Sequence, residues 1–235
     1  MKHPLGMQKK FLAPALVLVA LLTLLAFLGI RAMEVSPAIS LAEEEKKEVY
    51  LTFDDGPSTL VTGRVLDILK EENIKATFFI VSERVYNREN VLRRIAAEGH
   101  TLGVHSATHI YSDIYASDEA LLKDVATCDN VITRVTGIKP KVYRFPGGGS
   151  SARERQTKLL EERGYQVVGW NAVCGDAEIR NAAPNTLVQE TVKTSEGKQQ
   201  VILLLHDSAS NKATAQALPQ IIEYYRSQGY EFCQF

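Results

Sequence analysis

Cysteine is scarce and poorly placed for chemistry that depends on it. There are three, Cys128, Cys174 and Cys233, and their spacing matches no zinc or redox motif. The odd count leaves at least one thiol free or shared between molecules. Cys128 falls on the apolar stripe Leu121, Val125, Cys128, Ile132 and Val135, which marks it as a core thiol. A basic excess is also missing. The chain has 27 Lys and Arg against 28 Asp and Glu. Residues 1–42 hold Lys2, Lys9, Lys10 and Arg31 against Glu34, so the remainder carries 23 basic and 27 acidic residues, a net charge of −4. That balance excludes a nucleic-acid partner, which calls for a basic face. No internal repeat and no long low-complexity tract occurs. The 235 residues, less an N-terminal segment, suit one domain around a single core.

One long apolar run is present. Residues 11–30, FLAPALVLVALLTLLAFLGI, contain no charge and have the length of a bilayer-spanning helix. No polar face breaks the run, which argues against a buried helix of a soluble domain. Lys2, Lys9 and Lys10 precede it, so residues 1–10 are expected in the cytoplasm and the rest outside it. The expectation is a single-pass anchor in the cell membrane with an extracytoplasmic domain. The alternative is a signal segment cut near Ala42, giving a secreted protein. Residues 31–47 read as a polar tether, and residues 48–235 as the folded domain.

In that domain, short β-rich runs alternate with helical patterns. The runs are 48–53, 75–80, 101–104, 141–144, 165–170, 200–205 and 230–235. Val61, Val65, Ile68 and Leu69 fall at helical spacing, as do Leu218, Ile221, Ile222 and Tyr225. Thr186 with Gln189 reads as a capping box. About seven strands alternating with helices predict an α/β fold on a parallel sheet. The apolar run 200–205 fits a strand covered on both faces. An open doubly wound sheet and a closed barrel both satisfy the pattern.

The unusual polar residues follow the strands. Asp54 and Asp55 come after the first, His105 and His109 after the third, Arg144 at the end of the fourth, Asp176 past the fifth, and His206 and Asp207 after the sixth. In parallel α/β folds these strand ends share one face, where active sites form. His105 and His109 have the spacing H-x-x-x-H. On a helical turn both rings would face one way and could share a metal with an Asp. Two adjacent carboxylates, Asp54 and Asp55, repel unless a cation lies between them. Arg144 can hold a carboxylate. His206 can donate a proton near neutral pH. Each feature taken singly also has an ordinary structural reading, as a surface pair, a solvated turn, an ion pair or a core histidine.

Together these blocks resemble the NodB-homology polysaccharide deacetylases, carbohydrate esterase family four. The resemblance rests on Thr52-Phe53-Asp54-Asp55-Gly56, His105-Ser106-Ala107-Thr108-His109, Arg144-Phe145-Pro146-Gly147-Gly148, Trp170 through Asp176, and Leu203-Leu204-Leu205-His206-Asp207. It covers residues 48–235 and implies a distorted (β/α) barrel. It further implies that Asp55, His105 and His109 bind a divalent metal, Zn2+ first, with Co2+, Ni2+ or Mn2+ as alternatives. By the same resemblance Asp54 is the general base, Arg144 holds it, His206 is the general acid and Asp176 orients His206. Gly147, Leu204 and Trp170 are then substrate contacts, Leu204 lining the slot for the acetyl methyl group. Two departures stand out. Gly147 replaces an aromatic residue common in relatives. Val173-Cys174-Gly175-Asp176-Ala177 replaces D-x-x-D-W, so fewer aromatic walls are expected and Cys174 falls near the site, as a lining residue, a pocket thiol or a weak metal neighbour.

The implied activity is removal of acetyl groups from N-acetylglucosamine residues of a cell-wall polysaccharide, with peptidoglycan the natural substrate for an outward-facing anchored domain. The alternatives are deacetylation of a chitooligosaccharide, an exopolysaccharide or acetylated xylan, or a glycan-binding pseudoenzyme. The sequence leaves the oligomeric state open.

Overall fold

The computed structural model describes residues 46–149 and 153–235. The apolar run 11–30 and the tether up to residue 45 lie outside the described residues. Among the described residues no helix is long and apolar enough to cross a membrane.

The centre of the fold is β1 (Lys47–Gly56). Its alternation is clean. Val49, Leu51 and Phe53 point outward into the main apolar cluster. Thr52 and Asp54, also buried, take the opposite face. Around it lie β2 (Thr77–Val81), β3 (Thr101–Ser106), β4 (Val142–Tyr143), β5 (Gln166–Val167), β6 (Ala172–Val173), β7 (Gln200–His206) and β8 (Tyr230–Cys233). All pairings are parallel, and the order is β5-β4-β3-β2-β1-β7-β6. β8 pairs with the first half of β1, at Lys47–Tyr50, while β2 takes the second half from Thr52. The edge strands β5 and β6 do not pair, so the sheet curves as a half-barrel without closing.

Among the described residues seven α-helices cover the outside: α1 (Val61–Glu71), α2 (Glu89–Ala97), the short α3 (Tyr111–Ile114), α4 (Asp118–Thr136), α5 (Glu154–Glu161), α6 (Pro184–Ser195) and α7 (Lys212–Ser227). The outer core joins their apolar stripes to the sheet, as with Val65, Leu69, Leu218, Ile221 and Ile222 against Leu51, Phe53, Leu203 and Leu205. Cys128 lies in this cluster, fully buried. A smaller cluster, Phe79, Val142 and Val168, fills the concave side. Gly103 makes room for it, since a Cβ there would overlap the Phe79 ring and Val142.

Three expectations change. The strand expected over 165–170 stops at Val167, and a separate β6 follows. The Val168 and Gly169 carbonyls accept hydrogen bonds from the Arg144 guanidinium (3.3 and 2.8 Å) instead of extending a ladder. The capping box at Thr186 and Gln189 does not form. Helix α6 starts earlier, at Pro184 behind Ala183, and the Thr186 amide bonds the Ala183 carbonyl; a proline in the first turn needs no capped N–H. His105 and His109 share no helix: His105 belongs to β3, and His109 lies in the following turn at φ 64°.

Candidate active site

The register of β1 on β7 pairs Asp54 with His206 and Thr52 with Leu204. In-register neighbours face the same side of a sheet, so a carboxylate and an imidazole stand side by side on the concave face, at the C-terminal strand ends. Simple alternation would send Asp55 the other way. The β1–β2 ladder instead shifts register between Asp54 and Gly56, and Asp55 takes φ 74°. This irregularity re-aims its side chain toward the site, as bulges beside active sites do. Gly56 is required there, because a Cβ would overlap the Asp207 carboxyl beneath it. Asp207 is fully buried, burial pushes its carboxyl up to about 7, and Thr62 donates to it at 2.6 Å.

Asp55, His105 and His109 converge. Each offers a donor atom, and the three lie within 4.8 Å of one another. Asp55 Oδ1 is 3.2 Å from His109 Nε2 and 3.8 Å from His105 Nε2. Ligands of a tetrahedral metal at ~2.0–2.1 Å are roughly 3.4 Å apart, a spacing those two distances bracket. Asp55 Oδ1 is buried without a hydrogen-bond partner, an orphan acceptor that suits a cation. His105 Nδ1 lies 2.8 Å from the Arg144 carbonyl. A proton on Nδ1 donates to that carbonyl and leaves Nε2 as the free donor to a metal. Burial lowers the His105 pKa against the pull of Asp54 and Asp55, which favours the neutral ring a metal requires. His109 is fixed by its backbone: the Ser106 hydroxyl accepts from its amide at 2.9 Å and donates to Asp124 at 3.1 Å, while Asp124 also accepts from the Ala107 amide.

Arg144 is fully buried. Its Nη1 donates to Asp54 Oδ1 at 2.9 Å and to Thr52 Oγ1 at 2.7 Å. With the two loop carbonyls, the guanidinium is held on several sides, and Asp54 is held with it. Burial lowers the Arg144 pKa while Asp54 opposes the shift.

His206 Nδ1 lies 2.7 Å from Asp176 Oδ1. Asp176 Oδ2 accepts from the His206 amide at 2.8 Å and from Thr214 at 2.7 Å. Burial disfavours the charged ring, but the Asp176 hydrogen bond and charge, with Asp54 and Asp55, outweigh it and raise the His206 pKa to about 9. The imidazole is therefore a proton donor at neutral pH, with Nε2 left for that task.

The expected substrate contacts are distributed unevenly. Leu204 is on the concave face beside Thr52 and Val173. Gly147 is exposed, and Gly148 closes against the Trp170 ring. Trp170 is half-buried and stands 5.7 Å from the Arg144 guanidinium. Cys174 is no pocket thiol: it is fully buried in the main apolar cluster, apart from the Asp55, His105 and His109 group, and burial pushes its pKa far up.

Sequence reasoning missed four residues. Asp124 and Thr214 steady the loop of His109 and the carboxylate of Asp176. The Arg84 guanidinium bonds the Asp55 carbonyl and approaches Asp55 Oδ1 at 3.4 Å. Tyr111, 49% exposed, sets its ring 5.3 Å from that of His109 and beside Gly147. It provides an aromatic wall where position 147 has none.

A carboxylate and a protonated imidazole flank a three-donor cation site on the concave face of a parallel α/β half-barrel, and this equipment defines a hydrolase. The polysaccharide deacetylase family model matches residues 42–168. The Bacillus subtilis (strain 168) protein YheN is 36% identical over 190 residues, 79% of this chain and 66% of its own length. A Bacillus cereus peptidoglycan-N-acetylglucosamine deacetylase is 32% identical over 188 residues, 80% of this chain and 85% of that one. The crystal structure of the catalytic domain of a peptidoglycan N-acetylglucosamine deacetylase from Eubacterium rectale superposes with a TM-score of 0.73 at 32% identity, covering 80% of this chain and 88% of that one. The chain belongs to the polysaccharide deacetylase family and carries a deacetylase-type hydrolase domain.

Proposed function

We propose that the chain removes acetyl groups from N-acetylglucosamine residues of peptidoglycan, in a metal-dependent hydrolysis. Residues 11–30 would anchor it in the cell membrane with residues 48–235 outside. The observation that carries this reading is the register that sets Asp54 beside His206 next to the Asp55, His105 and His109 set. The choice of polymer is supported by the Bacillus cereus and Eubacterium rectale proteins, which are named for peptidoglycan.

Asp55, His105 and His109 would hold the metal; when bound, it polarises the acetyl carbonyl and acidifies a water molecule. The protein's own groups do the rest. Asp54, held and aimed by Arg144, accepts the proton of the attacking water. His206, kept protonated by Asp176, gives its proton to the departing amine, which leaves poorly as an anion. Leu204 offers an apolar contact to the acetyl methyl group, and Tyr111 an aromatic face to the sugar.

The test is acetate release by the full chain from peptidoglycan, chitooligosaccharides and acetylated xylan. The expected result is the highest kcat/KM on peptidoglycan. Acetate from xylan alone, or from no glycan, would overturn the reading.

A further inference from the structure

A groove of about 380 Å³ lies beside the site, lined by Pro57, Ser58, Arg84, Arg88, Ser208, Ala209 and Ser210. Its walls are the two loops that carry the chemistry. Pro57 and Ser58 follow Asp54 and Asp55, and Ser208–Ser210 follow His206. The lining contains two guanidinium groups and no carboxylate, on a domain whose net charge is negative. Arg84 is paired with Asp55, so the uncompensated positive charge of the lining is that of Arg88, which suits an anion.

The two arginines differ in what they are free to do. Arg84 is committed to Asp55 through its carbonyl and carboxylate. Arg88 Nη1 donates to the Arg84 carbonyl at 3.0 Å, and among the described residues Arg88 has no acidic partner. The floor is fixed: Ser58 donates to the Asp207 carbonyl at 2.7 Å, and Ser208 and Ser210 both donate to Asn211 Oδ1 (2.5 and 3.2 Å). Those hydroxyls are already donating, so Arg88 is the group left for a ligand.

We propose that this groove is a subsite for a carboxylate carried by the glycan next to the acetamido sugar, with Arg88 as its specificity-determining contact. The inference rests on the proposed function. A glycan that brings an acetamide to Asp54 and His206 crosses the same two loops, and its neighbouring sugar meets the groove. In peptidoglycan that neighbour bears a lactyl group and an acidic stem peptide. A guanidinium fork matches a carboxylate in two parallel hydrogen bonds. Chitooligosaccharides offer nothing of that charge. The groove therefore separates acidic from neutral N-acetylated glycans that the reacting groups alone treat alike.

Kinetics of acetate release by the metal-loaded full chain test this, comparing the parent with Arg88→Ala and Arg88→Lys. Three glycans of equal length serve: peptidoglycan fragments with stem peptides, fragments stripped to the lactyl carboxylate, and neutral N-acetylglucosamine oligomers. Arg88→Ala should raise KM at least about tenfold on an acidic glycan, the effect of losing a charge-assisted contact to a carboxylate. Its kcat, and its KM on neutral oligomers, should stay at parent values, and Arg88→Lys should recover part of the loss. An effect on both acidic glycans identifies the lactyl carboxylate; an effect on the peptide-bearing fragments alone identifies the peptide. Unchanged KM on every glycan, or an equal rise on the neutral oligomers, overturns the subsite and leaves the deacetylase reading standing. No acetate from any glycan with the parent chain overturns that reading itself.

Discussion

In the proposed mechanism the two adjacent aspartates divide the chemistry between them. Asp54 follows the strand alternation, faces the concave side and is held by Arg144; Asp55 leaves the alternation at a register shift and turns Oδ1, which accepts no hydrogen bond, toward two imidazoles. Asp54→Asn should therefore keep its metal and lose ~10²–10⁴-fold in kcat, the usual worth of a general base. Metal content by elemental analysis, read beside acetate release, checks it; loss of metal would mean the two roles are exchanged. His206 gives a pH prediction. In the proposed mechanism its protonated form is the working acid, and its pKa is raised to about 9, so kcat/KM should fall as pH rises through that region. Asp176 is the main upward influence, so Asp176→Asn should move the alkaline limb to lower pH, measured as a pH–rate profile. A limb unmoved by that change would remove Asp176 from its orienting role. These residues were legible in the sequence because they sit in short local blocks at strand ends. Arg84, Arg88 and Tyr111 were not. Their relation to the site depends on how segments distant in sequence meet, which no local pattern encodes.

At the scale of elements, the β3–α3 connection supplies one of the three candidate cation donors, His109. Its turn is shaped by Ser106 and by Asp124, which reaches across from α4 to the Ser106 hydroxyl and the Ala107 amide. Asp124 touches no candidate metal donor. Asp124→Ala should nonetheless weaken metal affinity ~10–100-fold, as loss of a supporting hydrogen-bond partner does, in a competitive chelator titration. Unchanged affinity would show that the turn holds itself. The sequence reading let His105 and His109 share a direction on the condition of a helical turn, and the convergence holds without that condition. The i, i+4 spacing suits a helix, yet the chain reaches the same convergence with one strand residue and one residue at positive φ. The spacing of a short H-x-x-x-H segment does not distinguish the two solutions, because the Ser106 hydroxyl that accepts from the His109 amide is itself held by Asp124 of α4. Likewise, the run 165–170 looks like one strand by composition. Arg144 takes two of its carbonyls and splits the sheet edge there.

For the whole molecule, the parallel order and the site at the C-terminal strand ends followed from alternating β-rich and helical segments. Closure did not, since periodicity is the same for an open and a closed sheet, and the half-barrel keeps β5 and β6 apart. The core that holds the sheet lies outside it, among Phe53, Leu203, Leu205, Leu218 and Ile221, while the cation donors sit on the opposite face and in one turn. Folding and metal loading should therefore separate: chelation should leave the circular dichroism spectrum of the full chain intact. The measurement that bears most directly on metal-dependent deacetylation is acetate release from peptidoglycan by the full chain before chelation, after it, and after a divalent metal is returned. Release should disappear with the metal and return at one equivalent per chain. Undiminished release from the stripped, folded protein would contradict a catalytic site built on Asp55, His105 and His109.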